Sequence, residues 1–156
     1  MRCAIVGGGA WGTALSDLLA RAGHRVTLWA READVVEHIN ATHANPRFLA
    51  GVTLHPSVHA TGALPDCLGG AAMVFYVAPS HVLREVVRAG AADVPADATL
   101  VIATKGIEPD TLDLMSDVVA AEVPRRPVVA VSGPSFALEV ARGQPTAVVA
   151  ASDSAE

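Results

Sequence analysis

The sequence predicts an α/β domain, a doubly wound, mostly parallel sheet with helices on both faces. Three observations lead there. Short apolar runs alternate with amphipathic segments of helix length along the chain. Several runs are continuously hydrophobic instead of alternating, which suits strands covered on both sides. The first run passes through glycines directly into a helical pattern, and a second run follows, as parallel crossovers require.

In chain order, residues 2–6 form the first strand and end at Gly7, Gly8 and Gly9. A helix is expected over 11–22, with Leu15, Leu18, Leu19 and Ala22 on one side and Gly23 as its stop. A strand at 25–30 and a helix at 32–42, with Val35, Val36 and Ile39 inward, complete the first unit. The segment 45–59 holds Pro46 and Pro56 and reads as loop-rich, covering part of the domain without joining the sheet. A short helical turn is expected at 63–68. The alternation then resumes with a strand at 72–77, a helix at 80–89 and a strand at 99–103. A helix is expected over 109–123 with Leu112, Met115, Val118 and Val119 inward, followed by a strand at 127–131. A helix starts over 134–141 with Pro134 in its first turn, and 146–150 is a last apolar, β-branched run.

A chain of 156 residues, 51% hydrophobic and 17% charged, suits one globular domain with a real core. Its net charge of -5 and the lack of a Lys/Arg run argue against a nucleic-acid partner. No apolar stretch is long enough for a membrane span, and the N-terminus lacks signal-peptide architecture. Cys3 and Cys67 lie far apart, and Cys3 sits in an apolar run, so a reduced, cytoplasmic chain is expected. The histidines at 24, 38, 43, 55, 59 and 81 form no metal pattern, because Pro56 interrupts the closest pair. A Walker loop and a nucleophile elbow are also missing.

The pattern Gly7-x-Gly9-x-x-Gly12 stands between a strand and a helix, in the context a Rossmann-like dinucleotide site demands. The first glycine permits the tight turn, the second lets a pyrophosphate approach the backbone, and the third lets helix and sheet pack closely. The helix start offers free N–H groups to the anion. An acidic residue at the end of the second strand would bind a ribose hydroxyl, but Ala30 and Arg31 stand there. Arg31 can pair with a 2′-phosphate, which favours NADPH, although Glu32 is one residue on and keeps NADH open. Arg31 could also be only a solvated loop residue.

Lys105 follows a strand at the edge where ligands bind in open sheets. By position alone it is as well read as a surface lysine. Ser132, Gly133, Pro134 and Ser135 make a strand-to-helix junction that suits a phosphate or an ordinary helix cap. Pro79, after Val77 and Ala78, opens a helix.

Seven ordered pieces then converge on one family. They are GGGAWGTAL (7–15), LWAR (28–31), NPRFLAG (45–51), VAPS (77–80), TKGIE (104–108), SGPSFA (132–137) and EVARGQPTA (139–147). Together they cover nearly the whole chain, and it resembles the bacterial-type NAD(P)-dependent glycerol-3-phosphate dehydrogenases. The departures are mild: Ala10 replaces a frequent serine and Ala50 a common proline.

The resemblance implies reversible reduction of dihydroxyacetone phosphate to sn-glycerol 3-phosphate by NADPH or NADH, feeding glycerophospholipid synthesis. It implies that Gly7, Gly9, Ala10, Trp11 and Gly12 line the dinucleotide and that Arg31 meets its adenosine end. Lys105 would touch cofactor and substrate, Gly133 and Ser135 the substrate, and Ala137 the cofactor. It further implies an all-helical second domain outside this chain, carrying the main catalytic lysine, and a homodimer in the full-length enzyme. The isolated chain is then expected to be catalytically incomplete. Other readings are a related hydroxy-acid dehydrogenase, a non-catalytic redox-sensing dinucleotide module, and a nucleotide-binding fold used as an interaction protein.

Overall fold

A computed structural model describes residues 1–154. The chain runs through β1 (Arg2–Val6), α1 (Ala10–Arg21), β2 (Arg25–Trp29) and α2 (Ala33–Thr42). A hairpin of β3 (Ala44–Asn45) and β4 (Leu49–Thr53) follows, then β5 (His59–Thr61), α3 (Leu64–Leu68) and β6 (Met73–Tyr76). Next come α4 (Ser80–Gly90), a 3-10 turn at Ala91–Asp93, β7 (Thr99–Ile102) and α5 (Met115–Glu122). The last elements are β8 (Val128–Ser132), α6 (Ala137–Ala141) and β9 (Val149–Ala151).

Among the described residues, seven strands form one sheet in the order β5-β2-β1-β6-β7-β8-β9. All neighbours are parallel except β9, which runs antiparallel to β8. The doubly wound sheet expected from the sequence is therefore present. Strand order reverses between β1 and β6, and a crevice opens at such a switch point, beyond the carboxyl ends of the strands. The glycine turn lies there because it leaves the end of β1.

Two apolar layers flank the sheet. Cys3 and Ile5 of β1 face one layer with Leu28, Val35 and Ile39; Ala4 and Val6 face the other with Leu83, Leu100 and Val118. The apolar run Cys3–Val6 of β1 thus serves both layers, which explains why its sequence does not alternate.

Several expectations need correction. Only half of the expected α1 stripe faces inward: Leu15 is buried and Leu19 packs against the core, but Leu18 is 46% exposed and Ala22 is exposed. Thr13, Ser16 and Asp17 are buried beside Leu15, each with a partner. The Ser16 hydroxyl donates to the Gly12 carbonyl (2.8 Å), while Asp17 accepts from the His55 amide (2.6 Å) and from Arg21 Nε (2.7 Å). Satisfied polar groups can be buried at little cost, so hydrophobic periodicity misread this face.

The segment 45–59 stays outside the main sheet except at its last residue. It forms most of the β3–β4 hairpin outside the main sheet, and His59 begins β5, which extends that sheet beyond β2. The helix expected over 109–123 starts only at Met115: Leu112 has φ 63° and is 69% exposed, because a polar turn around Glu108 occupies the preceding residues. Pro134 is not in a helical first turn, since α6 starts at Ala137. Here the Ser135 amide closes a tight turn onto the Gly133 carbonyl (2.9 Å). Finally, β8 is only partly covered and β9 is exposed throughout, so the sheet is not covered on both faces at this edge.

Candidate functional site

A cleft of about 700 Å³ lies at the switch point. Its floor is the glycine turn. Gly7 has φ +135°, and a Cβ there would stand 2.9 Å from the Ala78 amide nitrogen. A Cβ on Gly12 would run into the Gly7 carbonyl oxygen. The protein itself therefore demands the first and third glycines. A Cβ on Gly9 would meet nothing within 4 Å, so the space beside it belongs to whatever fills the cleft. Gly9 caps α1 with no side-chain bond, and the Thr13 amide donates to the Gly9 carbonyl (2.9 Å). The amides of Ala10, Trp11 and Gly12 precede that bond in the helix and are the donors an anion can use.

The turn is braced from behind by Asn45. Its amide donates to the Gly8 carbonyl (3.0 Å) and the Thr13 hydroxyl (2.8 Å), while its oxygen accepts from the Phe48 amide (3.2 Å). Asn45 is fully buried, so one side chain joins the turn to the hairpin that carries Phe48 into the cleft wall.

Toward β2 the wall is an apolar slot of Leu64, Val82, Val86 and Ala89, rimmed by Trp29, Arg31 and Glu32. Trp29 Nε1 donates to the Gly62 carbonyl (3.0 Å), which fixes the ring. The Arg31 side chain is 78% exposed and touches Glu32 at 3.3 Å.

The other end is built by the loop after β7. Thr104 donates to the carbonyls of Ala78 (2.8 Å) and Tyr76 (3.1 Å). Lys105 is exposed and its ammonium donates to the Gly133 carbonyl (3.3 Å). Gly133 must be small because a Cβ there would stand 2.6 Å from the Ala147 carbonyl oxygen. Both cysteines are free and buried, and burial pushes the Cys67 thiol up to about 12, which leaves it inert. Among the described residues, no group of three or more His, Cys, Asp or Glu is placed to hold a metal.

The cleft wall brings together Gly7, Gly9, Ala10, Trp11, Gly12, Arg31, Lys105 and Ser135. Gly133 joins through its carbonyl. Ala137 stands outside the wall, at the start of α6 and packed against the core. Sequence reasoning missed Gly8, where a Cβ would stand 2.5 Å from Ala30 Cβ. It also missed the slot on α4 and the role of Asn45. The sequence marks 80–89 only as a helix, and Asn45 only as part of a covering segment and of the family-like piece 45–51.

The structure fits a dinucleotide on three counts: the open side of Gly9, the uncapped helix start and the extended cleft. Comparison with known proteins agrees. Residues 2–156 match the family model described as NAD-dependent glycerol-3-phosphate dehydrogenase N-terminus. A glycerol-3-phosphate dehydrogenase [NAD(P)+] of Rhodospirillum rubrum is 51% identical over 148 residues, covering 95% of this chain and 42% of the relative. The enzyme of that name from Paramagnetospirillum magneticum is 49% identical over 94% of this chain and 53% of the relative. The crystal structure of glycerol-3-phosphate dehydrogenase from Coxiella burnetii superposes with a TM-score of 0.91 at 37% identity, over 98% of this chain and 47% of that one. The chain thus spans about half the length of these relatives.

Proposed function

We propose, from the premise that the chain belongs to the NAD-dependent glycerol-3-phosphate dehydrogenase family, that it is the dinucleotide-binding unit of an enzyme interconverting dihydroxyacetone phosphate and sn-glycerol 3-phosphate. The observation that carries this reading is one cleft holding both halves of the requirement. Gly9 and the first-turn amides of α1 lie on its floor, and Lys105 and Ser135 lie in its wall. The family match favours this over the redox-sensing module and the hydroxy-acid dehydrogenase.

The amides of Ala10, Trp11 and Gly12 would take the diphosphate. The slot of Leu64, Val82, Val86 and Ala89 would take the adenine, with Arg31 at its rim. The Arg31–Glu32 pair is exposed, and such a pair contributes only about 0–1 kcal/mol. The guanidinium can therefore turn to a 2′-phosphate at little cost, which favours NADPH, while Glu32 remains able to accept a ribose hydroxyl from NADH. The bound cofactor supplies the hydride. Lys105 places a positive charge toward the substrate's phosphate or carbonyl oxygen, and Gly133 and Ser135 form the surface against which the substrate rests.

The main catalytic lysine is proposed to lie on a second, helical unit, since the relatives carry about as much chain again. Leu18, Leu138, Val148 and Val149 are exposed around α1, α6 and β9, where such a unit would cover them. Two buried free thiols suit a reducing cytoplasm. Dimerisation is proposed for the whole enzyme only, and no helix among the described residues is long and apolar enough to cross a membrane.

Titration of this chain with NADPH and NADH tests the binding half: saturable binding is expected, and failure to bind either would overturn the reading. Assay of NADPH oxidation with dihydroxyacetone phosphate, using this chain and a full-length relative side by side, tests the rest. The chain is expected to turn over far more slowly, because one domain leaves the reacting atoms open to water.

A further inference from the structure

We propose that the Arg84–Glu108 ion pair is the positioning element for Lys105: it fastens the lysine-bearing loop to α4, the helix that forms the slot side of the cleft. The inference rests on the reading of Lys105 as a ligand contact given above.

Hydrophobic burial does not hold this loop. Its large apolar residues point outward, with Ile107 50%, Leu112 69% and Leu114 58% exposed. Polar contacts hold it instead, and they converge on α4. Gly106 has φ +120°, and a Cβ there would stand 3.0 Å from the Ser80 hydroxyl, so the loop passes against the first turn of the helix. One turn further along α4, Arg84 grips Glu108 with both prongs of its fork: Nε to Oε1 at 2.7 Å and Nη2 to Oε2 at 2.6 Å. Thr111 adds a hydroxyl donor to Oε2 (2.5 Å). Lys105 lies just before these two attachment points.

The Glu108 carboxylate is nearly covered, at 11% exposure, yet all of its charge is matched. The Arg84 fork and then the Thr111 hydroxyl hold its carboxyl down to about 2, so the clamp stays charged in neutral solution. Arg84 is itself oriented, because its remaining Nη1 donates to Glu122 of α5 (3.0 Å), which Arg88 also grips.

A simple staple between α4 and α5 would explain Arg88 and Glu122, but not this arrangement. Glu108 is on neither helix, and Arg84 spends its two-pronged side on the loop. Such bidentate geometry fixes direction as well as distance. His81, Val82, Glu85, Val86 and Ala89 on the other face of α4 line the cleft, so the same rigid helix carries the slot and the anchor of Lys105.

Lys105 is the chain's single lysine, which gives a direct readout. With lysine isotopically labelled, its side-chain NMR signals report that residue alone. The variants are Glu108→Gln, Arg84→Met, Lys105→Met and the Glu108→Gln/Lys105→Met pair. Glu108→Gln and Arg84→Met are expected to move the Lys105 signals toward those of a free side chain. They should also weaken NADPH binding about tenfold, the scale of one charged hydrogen bond. The double variant should bind NADPH within about twofold of Lys105→Met, because non-additivity is the mark of two residues acting through one contact. Arg84→Lys, which keeps the charge and loses the fork, should fall between wild type and Arg84→Met.

A lower melting temperature with unmoved Lys105 signals and unchanged NADPH affinity would overturn the proposal and leave Glu108 a structural residue. Multiplying losses in the double variant would do the same. If Lys105→Met binds NADPH as tightly as wild type, it is the reading of Lys105 as a cofactor contact that fails; the lysine signals then decide the positioning claim alone. Should Glu108→Gln not fold, Arg84→Met and Arg84→Lys carry the same comparison from the helix side.

Discussion

The glycine turn and the lysine loop face the same cleft but are held in place by different physics. The turn carries no ionisable group. It is fixed by backbone approach, with Gly7 against Ala78 and Gly12 against Gly7, and by the buried amide of Asn45. The lysine loop contains no buried apolar anchor comparable to these and is fixed by ions: Glu108 with Arg84, and Arg84 with Asp113 and Glu122. Contacts of the first kind are indifferent to pH and salt. Those of the second kind weaken with added salt and in acid, the more so where solvent reaches them. One part of the site is therefore rigid by shape and the other by charge.

The sharpest way to break the shape-held part is to add one methyl group at each of two neighbouring glycines. Gly12→Ala forces a Cβ into the Gly7 carbonyl and should cost at least about 1–3 kcal/mol of stability, the range for overpacking, with NADPH binding lost as the turn shifts. Gly9→Ala meets no protein atom. Its stability should change by only about 0.5–1 kcal/mol, from a poorer helix cap, while NADPH affinity falls more than tenfold if the diphosphate lies where the new methyl points. Thermal melts and NADPH titrations of both variants separate the two effects. Tight NADPH binding by Gly9→Ala would place the diphosphate elsewhere.

Asn45→Ala attacks the same part from behind. It leaves the Phe48 amide without its partner and reduces the bonding of the Gly8 carbonyl and the Thr13 hydroxyl to the 3.3 Å bond between them, and an unsatisfied buried group costs about 1–3 kcal/mol. Denaturant unfolding should show a loss in that range. NADPH affinity should fall less than in Gly9→Ala, because the turn keeps its glycines.

The same contrast governs what was legible in the sequence. The glycine turn could be read because its constraints are local: strand, glycine spacing and helix lie within a dozen residues. The parallel sheet followed from the apolar runs. The bracing of the turn could not be read, since Asn45 sits more than thirty residues from Gly8 and Thr13 and looks like an ordinary loop residue before proline. The helix expected from 109 failed for a related reason. The spacing of Leu112, Met115 and Val119 suits a helix, but Glu108, Thr111 and Arg84 capture the first residues in a polar turn through a contact 24 residues away. The buried Ser16 and Asp17 show the same limit on hydrophobic periodicity, which counts side chains and not their partners. The resemblance to a family pointed to Lys105 and Ser135 where position alone left them open, and the structure puts both on the cleft wall.

At the rim, charge acts with little help from shape. Among the described residues, Arg31 is held only by an exposed contact to Glu32, so Arg31→Ala should leave the melting temperature nearly unchanged. It should weaken NADPH binding about tenfold, as expected for losing a charged hydrogen bond, and leave NADH binding within about twofold. Calorimetric titration of both dinucleotides checks it. An equal loss for NADH and NADPH would assign Arg31 to some part of the cofactor other than the 2′-phosphate.

The smallest effect is expected from acid, and it should fall on the charge-held loop alone. The carboxyl of Glu108 is held at about 2 in the folded protein, against an ordinary value of 4.5. A group whose pKa is lower when folded stabilises the fold in its ionised form. Its contribution is therefore complete above about pH 4.5 and is lost as the pH falls toward 2. Glu108→Gln removes that titration. Near neutrality the variant should be the less stable of the two, and the gap should close as the pH falls through this window. Glu122 is also held below its ordinary value, by Arg88 and then Arg84, so the variant should keep part of the slope and not become flat. Followed residue by residue, the Lys105 side-chain signals should shift through the same window in the wild type and stay still in Glu108→Gln. Amides of the glycine turn should shift in neither, since no titrating side chain touches that turn in the network around Asn45. Movement of both regions together would mean that the turn and the loop are one cooperative unit, and the division between shape and charge would not hold.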